Sequence, residues 1–186
     1  MKRFFDLTVA ALLCIVLLIP LVFIAILIRI TSEGKSIYWS KRIGYDSCIF
    51  NMPKFRTMKI NTPVVATHLI KNVDEYFSPF GSFLRRTSLD ELPQIFSVLK
   101  GEMSFVGPRP ALFNQHDLIS LRKQNGVDKV LPGITGWAQI NGRDDLSISE
   151  KVNLDKEYLE KKSFLFDLKI ILLTIFKVIQ SDDISH

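Results

Sequence analysis

A run of 22 residues without a charged side chain, Leu7 to Ile28, constrains this chain more than any other feature of its sequence. As a straight helix the run would be about 33 Å long, enough to cross a hydrocarbon core of about 30 Å. A cleaved signal peptide would have a shorter apolar core and a small-residue cleavage site, and the run has neither. We therefore predict a membrane segment that is retained in the protein.

The topology of this segment depends on Pro20, near its middle, and on its basic flanks. Proline deletes one backbone hydrogen bond and clashes with the preceding turn, so we expect a kink. Lys2 and Arg3 precede the segment, and Arg29 and Lys35 follow it. Positive charge resists translocation, and here it stands at both ends. A bent helix that re-enters the cytoplasmic leaflet and a single kinked span fit these features equally well.

Length and composition predict one globular unit beside the membrane segment. The chain has 186 residues, 47% of them hydrophobic, which suffices for one domain with its own core. Its net charge of +5 favours anionic headgroups, whereas no recognition helix or basic run supports nucleic-acid binding. The cysteines, Cys14 and Cys48, are isolated, and the histidines, His68, His116 and His186, form no ligand pair. We therefore expect neither a disulfide framework nor a zinc site.

Two segments after the apolar run have the composition of a β-hairpin. We predict strands over Ile37–Ser40 and Cys48–Met58, joined by the turn residues Gly44–Ser47. In an extended chain Lys54 and Arg56 lie on one face. Two solvated cations would give this pattern, and so would half of a phosphate clamp.

The rest of the chain is predicted to be mainly helical, which gives an α+β fold class. Helical periodicity predicts a helix over Leu92–Leu99 that ends at Gly101, and the prolines make Gly107–Pro110 extended and stiff. Phe164–Ile179 is apolar almost all round, as in a core helix or one lying in the headgroup plane. The other expected elements are helices over Leu112–Gln124 and Asp144–Lys162, a surface loop with a short helix over Ile60–Ser78 and a glycine-rich loop or turn system over Pro132–Gly142.

Two explanations fit the acid pair Asp90-Glu91 at the start of the Leu92–Leu99 helix. Ser88 and Glu91 have the spacing of a capping box, and acids in a first helical turn are stabilised by roughly 0.3–1 kcal/mol. Pro93 disfavours a helix that begins as early as Ser88, which would make Asp90 the better cap. Alternatively, one of these carboxylates takes part in chemistry.

Arginines around the acid pair favour the chemical explanation. Arg85 and Arg86 precede the pair, Arg109 stands between two prolines, and Arg143 ends the glycine-rich segment. The planar guanidinium suits phosphate oxygens, and a glycine-rich loop can add backbone N–H donors. A carboxylate among such cations has two roles open to it, holding Mg²⁺ or attacking phosphorus as a nucleophile.

Five motifs in this order resemble those of the bacterial sugar transferases, the small monotopic polyprenyl-phosphate phosphoglycosyl transferases. They are Lys54–Met58 (KFRTM), Thr87–Gln94 (TSLDELPQ), Leu99–Ser104 (LKGEMS), Gly107–Pro110 (GPRP) and Pro132–Arg143 (PGITGWAQINGR). The resemblance covers almost the whole chain, from Lys2 to about Ile179. The segments Ile60–Ser78 and Asn114–Lys129 lie outside the motifs and are candidates for donor specificity.

The resemblance implies a monotopic protein of the bacterial inner membrane. Residues 1–30 would form a re-entrant, proline-broken membrane helix, and 31–186 a cytoplasmic catalytic domain with a small β-hairpin and interfacial amphipathic helices. Such enzymes move a sugar 1-phosphate from a UDP-sugar to undecaprenyl phosphate and release UMP, which begins surface polysaccharide or glycoconjugate synthesis. Their partners are the donor, the lipid acceptor, downstream glycosyltransferases and, in some relatives, a second copy of the chain.

The resemblance also assigns roles to residues. Asp90 would be the nucleophile, forming a covalent phosphosugar intermediate, and the contact for a Mg²⁺ cofactor; Glu91 would complete a catalytic dyad. The candidate substrate- and phosphate-binding residues are Lys54, Arg56, Arg85, Arg109, Gln139 and Arg143. Pro20 would break the membrane helix, although the family commonly has serine before this proline and this chain has Ile19.

Two other functions fit the same residues. A membrane-bound hydrolase of nucleotide diphospho-sugars or lipid diphosphates would use the same cations and acid pair, with water in place of the lipid. A non-catalytic scaffold for glycan assembly would need Asp90 and Glu91 only as a helix cap. The sequence has no Walker, GxGxxG or zinc motif, so kinase, dehydrogenase and metalloprotease functions gain no support.

Overall fold

The computed structural model of this chain describes residues 1–65, 70, 72–142 and 145–180. These residues form eight α-helices, an antiparallel hairpin and a short parallel strand pair, so the predicted α+β, mainly helical class with a small hairpin is confirmed. The helices are α1 (Lys2–Val16), α2 (Leu18–Thr31), α3 (Gly81–Arg86), α4 (Ile95–Lys100), α5 (His116–Gln124), α6 (Trp137–Ile140), α7 (Ile148–Lys161) and α8 (Phe164–Gln180). The strands are β1 (Ile37–Ile43), β2 (Ile49–Phe55), β3 (Ser104–Val106) and β4 (Gly133–Thr135).

The uncharged run near the N-terminus forms α1 and α2, which meet at Leu17 with a bend of 61°. Within the described residues no single helix is long and apolar enough to cross a bilayer, but α1 and α2 together are, by length and composition. The predicted kink is confirmed, and it lies three residues before Pro20. Proline offers no N–H to the carbonyl of Val16, four residues earlier, and its ring crowds that carbonyl, so the helix breaks before the proline.

Both halves of the bent pair pack against the same strand. Ala10 of α1 is fully buried in a cluster with Met52 of β2. Beyond the bend, Ile24 and Ile28 of α2 share a second cluster with Phe55, three residues further along β2. The two helices therefore return to one folded body instead of leading away from it.

Basic side chains at the start of α1 anchor it to that body. The guanidinium of Arg3 donates to the carbonyls of Val98, at 2.8 Å, and Leu99, at 3.2 Å. These carbonyls lie in the last turn of α4, where a nearby cation is favourable for the helix end. Lys2 Nζ donates to the carboxylate of Asp167, in the first turn of α8, at 2.6 Å. The N-terminal flank of the apolar run is thus part of the folded structure.

The predicted hairpin is confirmed, with a shorter second strand than expected. β1 and β2 pair antiparallel, from Ile37 opposite Phe55 to Ile43 opposite Ile49. Met58, predicted to belong to the second strand, instead forms an isolated bridge with Phe77. Because β2 ends at Phe55, strand alternation does not extend to the residues after it.

Several predicted helices are also present, with shifted ends. Gly101 ends α4 in the left-handed conformation (φ 90°), as predicted, and α5, α7 and α8 lie within or close to their predicted ranges. A capping box of Ser147 and Glu150 begins α7. The surface segment over Ile60–Ser78 contains a 3₁₀ turn, Val73–Tyr76, while residues 66–69 and 71 lie outside the described part of the chain.

The glycine-rich segment is not the loop that we predicted, because it contains β4 and α6. β4 pairs in parallel with β3, and Gly133 and Gly136, at the start of β4 and just after it, allow a very close approach to the backbone of Gly107. A Cβ added at Gly133 would lie 2.1 Å from the N of Gly107, and one added at Gly136 would lie 2.1 Å from the O of Gly107. The glycines are therefore explained by packing against the segment that leads to Arg109.

Candidate active site

The acid pair lies on a 3₁₀ turn, Leu89–Gln94, that leads into α4. Ser88, before this turn, has left-handed backbone geometry (φ 56°) and its side chain makes no capping hydrogen bond. The capping box that Ser88 and Glu91 would form is therefore absent. Asp90 does not cap the helix either, because α4 begins only at Ile95 and shows no side-chain cap.

Glu91 instead holds two cations from other parts of the fold. Its Oε1 accepts from Lys54 Nζ, at the end of β2, at 2.7 Å and from Arg109 Nη2 at 2.8 Å. The side chains of Glu91 and Lys54 are only 12% and 13% exposed. Burial acts to raise the pKa of Glu91, but the Arg109 and Lys54 cations outweigh it and hold this pKa well below its usual range. The lowered pKa favours the anionic form of Glu91, which binds both cations.

Asp90 has the opposite environment. It is 5% exposed, and no hydrogen bond among the described residues ends on its carboxylate. Burial raises the pKa of Asp90; the charge of Glu91 adds to this effect, and the cations of Lys54, Arg85 and Arg109 oppose it. The pKa values of these neighbouring acids are thus shifted in opposite directions, an arrangement typical of acids with different roles. Among the described residues, only Glu91 of the two makes ion pairs.

Three of the predicted phosphate-binding residues meet at this acid pair. Lys54 and Arg109 are bonded to Glu91, and burial lowers the pKa of Lys54. Arg85, in the last turn of α3, acts electrostatically on Asp90 and places its guanidinium 5.7 Å from the ring centre of Phe77. The cluster thus combines cations from three separate segments with a carboxylate, that of Asp90, for which the described residues show no ion pair.

No hydrogen bond or ion pair among the described residues joins the predicted residues Arg56 and Gln139 to this cluster. Arg56 follows the end of β2; its Nε donates to the carbonyl of Lys35 at 2.8 Å, and its guanidinium lies 5.9 Å from the ring centre of Tyr38. Strand alternation therefore does not place it beside Lys54. Gln139, on α6, has a buried amide close to Gly136, and the described residues offer this amide no hydrogen-bond partner. Arg143 lies outside the described residues.

The glycine-rich segment supports the loop that carries Arg109. The N–H of Gly133 donates to the carbonyl of Pro108 at 3.0 Å, and Gly107 N donates to Thr135 O at 2.9 Å. We expected this segment to offer N–H groups to a ligand, but the N–H of Gly133 is bound within the protein. Its contribution to the site is to hold Arg109 in place.

Two residues near the site, Gln94 and Arg122, were not predicted from the sequence. Gln94 is 2% exposed, and its buried Nε2 finds no hydrogen-bond partner in the part of the chain that the structure describes. On a 3₁₀ turn, residues three apart eclipse one another, so Gln94 lies on the same face as Glu91. Gln94 belongs to the motif TSLDELPQ, and that membership could have identified it. Arg122, which donates to the carbonyl of Arg109 at 2.7 Å, lies outside the motifs, on a helix with no distinctive sequence pattern.

The donor atoms of this site suit a metal ion that is shared with a substrate. The described residues contain no group of three or more His, Cys, Asp or Glu side chains that could hold a metal. Mg²⁺ is commonly bound through one or two carboxylates together with substrate phosphates. Asp90 offers one carboxylate of this kind, whereas that of Glu91 is already engaged by Lys54 and Arg109.

The acid pair adjoins the bent apolar helices. Leu89 and Leu92, on either side of the pair, pack against the cluster that contains Leu21, Ile24 and Ile28 of α2. The outer side of the bend is exposed and apolar, and so is one side of α8. The most exposed large apolar side chains there are Ile15, Val16, Ile19, Phe23, Leu165 and Phe176. Such surfaces mark contact with lipid or with another apolar partner.

Comparison with known proteins connects this site with a family. The family described as "Bacterial sugar transferase" matches residues 1–181. The chain is 41% identical to the "Uncharacterized sugar transferase EpsL" of Bacillus subtilis (strain 168), over 100% of this chain and 91% of that protein.

Two longer relatives have more specific names. The chain is 41% identical to the "UDP-glucose:undecaprenyl-phosphate glucose-1-phosphate transferase" of Escherichia coli (strain K12), over 95% of this chain and 40% of that one. It is 36% identical to the "UDP-galactose-lipid carrier transferase" of Erwinia amylovora, over 98% of this chain and 41% of that protein. The chain thus spans about two-fifths of the length of these two proteins.

Proposed function

The chain belongs to the bacterial sugar transferase family, and on that premise we propose that it transfers a sugar 1-phosphate from a UDP-sugar to undecaprenyl phosphate and releases UMP. The observation that carries this proposal is the contrast within the acid pair. Among the described residues, Glu91 is bonded to two cations, while Asp90 is buried beside it and accepts no hydrogen bond. A free carboxylate among fixed cations is arranged to react with an anionic phosphate. The product would begin a polysaccharide or glycoconjugate on its lipid carrier.

The transfer would proceed in two steps at Asp90. In the first step a carboxylate oxygen attacks the β-phosphorus of the donor, and the bond from this phosphorus to the bridging oxygen breaks. The electron pair leaves with UMP, and the sugar phosphate stays on Asp90 as a mixed anhydride. In the second step a phosphate oxygen of the lipid attacks the same phosphorus and releases the carboxylate. A soluble donor and a lipid acceptor can thus use one site in turn.

Glu91 would contribute by holding the cations before the donor arrives. An anionic nucleophile approaches a diphosphate only when the phosphate charge is neutralised, and preorganised cations do this without reorganisation at the moment of reaction. Lys54 and Arg109 share one oxygen of Glu91 and are therefore already placed side by side. Arg85 acts on Asp90 from α3 and would complete the phosphate-binding set.

We propose that Asp90 also holds Mg²⁺ together with the diphosphate of the donor. When bound, Mg²⁺ would supply charge neutralisation at the diphosphate and favour the ionised form of Asp90. The ionised form is the one that can attack, and burial disfavours it in the free protein. Bound Mg²⁺ would therefore allow Asp90 to act as a nucleophile even though burial raises its pKa.

We further propose that the bent helix pair re-enters the cytoplasmic leaflet of the bacterial inner membrane, with the rest of the chain on the cytoplasmic face. A spanning helix would place its ends on opposite sides, about 30 Å apart. Here α1 and α2 both pack on β2, through Met52 and Phe55. The exposed apolar side chains around the bend, such as Ile19 and Phe23, are suited to the acyl chains.

The catalytic pair would then lie at the level of the lipid headgroups. Leu89 and Leu92 join its turn to α2, and the acceptor presents its phosphate at this depth. The exposed apolar side of α8, which includes Leu165 and Phe176, would lie in the interface plane. This arrangement brings the lipid phosphate to Asp90 without removing the lipid from the membrane.

Release of UMP from a panel of UDP-sugars tests the proposed function. In the presence of Mg²⁺, we expect one or more donors to give sustained UMP release only when undecaprenyl phosphate is present. Without the lipid, we expect a burst limited to about one UMP per protein, since the covalent intermediate cannot turn over. Sustained release without lipid would instead indicate a hydrolase. No release with any donor, from folded protein in lipid, would contradict the transferase.

A further inference from the structure

The loop Pro108–Ala111 presents Arg109 to the acid pair, and each of its four carbonyls accepts a hydrogen bond from elsewhere in the fold. The donors, from the first carbonyl to the last, are Gly133 N at 3.0 Å, Arg122 Nη1 at 2.7 Å, Arg42 Nη1 at 3.0 Å and Ile43 N at 2.9 Å. The two prolines have no N–H, so the loop cannot join a regular ladder. Its geometry therefore depends on these external donors.

The donor to Arg109 is itself fixed by a buried acid. Arg122, in the last turn of α5, uses Nε and Nη2 to bind Asp155 Oδ2 of α7, at 2.9 Å and 2.7 Å. The Arg122 side chain is 11% exposed and that of Asp155 is 1% exposed. A buried ion pair adds little stability compared with apolar residues of similar volume. This pair directs a further N–H of Arg122 at the backbone of Arg109.

We propose that Arg122 and Asp155 are positioning residues that set Arg109 for binding a diphosphate. The chain of contacts runs from the Asp155 carboxylate through the Arg122 guanidinium to the carbonyl of Arg109. From there the Arg109 side chain reaches Glu91 at 2.8 Å. Guanidinium binding to phosphate depends on direction, so a small displacement of this backbone weakens it. The identity of the ligand as a diphosphate rests on the proposed function.

Binding of inorganic pyrophosphate with Mg²⁺, measured by calorimetry, tests this positioning without requiring turnover. Lysine has one compact ammonium group and cannot bind both Asp155 and the Arg109 carbonyl in the same geometry. We expect Arg122→Lys to raise the Kd for pyrophosphate about tenfold, and Arg109→Lys to raise it by a similar factor. The double variant should bind pyrophosphate about tenfold more weakly than wild type, and not about a hundredfold more weakly, because Arg122 acts only through Arg109.

Two further variants separate positioning from general stability. Arg3→Lys is the matched control, because Arg3, like Arg122, donates to the backbone of a distant segment, but its acceptors are two carbonyls at the end of α4. It should leave the Kd within about twofold of wild type. Asp155→Asn keeps the shape of the side chain and replaces Arg122→Lys if that variant does not fold. Its effect on the Kd should likewise disappear in the Arg109→Lys background.

The outcomes distinguish this proposal from the transferase proposal. Loss of the Arg122 effect in the Arg109→Lys background supports positioning, even if no UDP-sugar gives turnover. An equal loss of affinity in both backgrounds would overturn it, because Arg122 would then act independently of Arg109. An unchanged Kd in folded Arg122→Lys, or no pyrophosphate binding by the wild type, would overturn it as well.

Discussion

Asp90→Asn is expected to abolish lipid-dependent UMP release and the lipid-independent burst, with kcat reduced by at least about three orders of magnitude. The amide cannot form the mixed anhydride with the sugar phosphate. The fold should not suffer, because burial raises the pKa of Asp90 and its ionised form is therefore unfavourable in the folded state. We expect the melting temperature at pH 7 to be unchanged or higher. Loss of activity without loss of stability would identify a group used for chemistry.

Glu160→Gln provides the matched acid-to-amide control for Asp90→Asn. Glu160 is an exposed acid near the end of α7, outside the site and the candidate specificity segments, and its replacement should leave UMP release within about twofold of wild type. The two variants can be compared in one assay with the same donor, lipid and Mg²⁺. An Asp90→Asn protein that still gave the burst of UMP would show that another group attacks the donor.

Glu91→Gln should lower both stability and turnover. Glutamine leaves Lys54 and Arg109 close together without the anion that holds them, and Lys54 is largely buried. Breaking a buried pair in this way costs about 3 kcal/mol of unfolding free energy. We expect turnover to fall by about two to three orders of magnitude, as when a preorganised charge is removed from an active site. Denaturant unfolding and UMP release measure the two effects separately.

The pH dependence gives the stability effect a definite sign. Glu91 has a pKa that is depressed in the folded state, so its stabilising contribution is present above its unfolded pKa of about 4.3. The contribution is lost as the pH falls through the folded pKa. The difference in stability between wild type and Glu91→Gln should therefore be full at pH 7 and shrink below about pH 4.

Glu157→Gln and a double variant are the controls for Glu91→Gln. Glu157 also accepts from a lysine and a second donor, Lys161 at 2.6 Å and Trp137 at 2.8 Å, but it lies near the surface. Its replacement should cost no more than about 1 kcal/mol. Lys54→Met combined with Glu91→Gln should cost less than the sum of the single changes. Additive losses would show that the two side chains are not a coupled pair.

The sequence predicted the features that rest on a single strong local rule. Pro20 in an uncharged run predicted the kink, because a missing N–H and a ring clash act wherever proline falls within a helix. Gly101 predicted the end of α4, since glycine readily adopts the left-handed conformation found there. The meeting of Lys54, Arg85 and Arg109 around the acid pair was also anticipated, from the types of residue and their motifs.

Features that depend on distant contacts were not predictable in the same way. The capping box of Ser88 and Glu91 had the right spacing, but Glu91 is engaged by Lys54 and Arg109, which are remote in sequence. Arg56 had the right alternation with Lys54, but the strand ends at Phe55. Nothing local marked Arg122, because its role depends on a carbonyl 13 residues away.

The glycine-rich segment has a composition that fits both a phosphate-binding loop and close backbone packing. Glycines near arginines favoured a phosphate-binding loop, and the same glycines also permit close contact between backbones. An added Cβ at Gly133 or Gly136 would lie 2.1 Å from backbone atoms of Gly107. This short distance favours backbone packing as the explanation for these glycines. A sequence alone does not say which other backbone a glycine approaches.

Intact-protein mass spectrometry, after brief exposure of the wild-type protein to a productive UDP-sugar without lipid, tests most directly whether Asp90 carries the sugar phosphate. We expect a rapidly quenched sample to gain the mass of one sugar phosphate less one water. The gain should disappear when undecaprenyl phosphate is added and should be absent in Asp90→Asn. A fully active wild-type preparation that never gains this mass, or an Asp90→Asn protein that does, would contradict covalent transfer through Asp90.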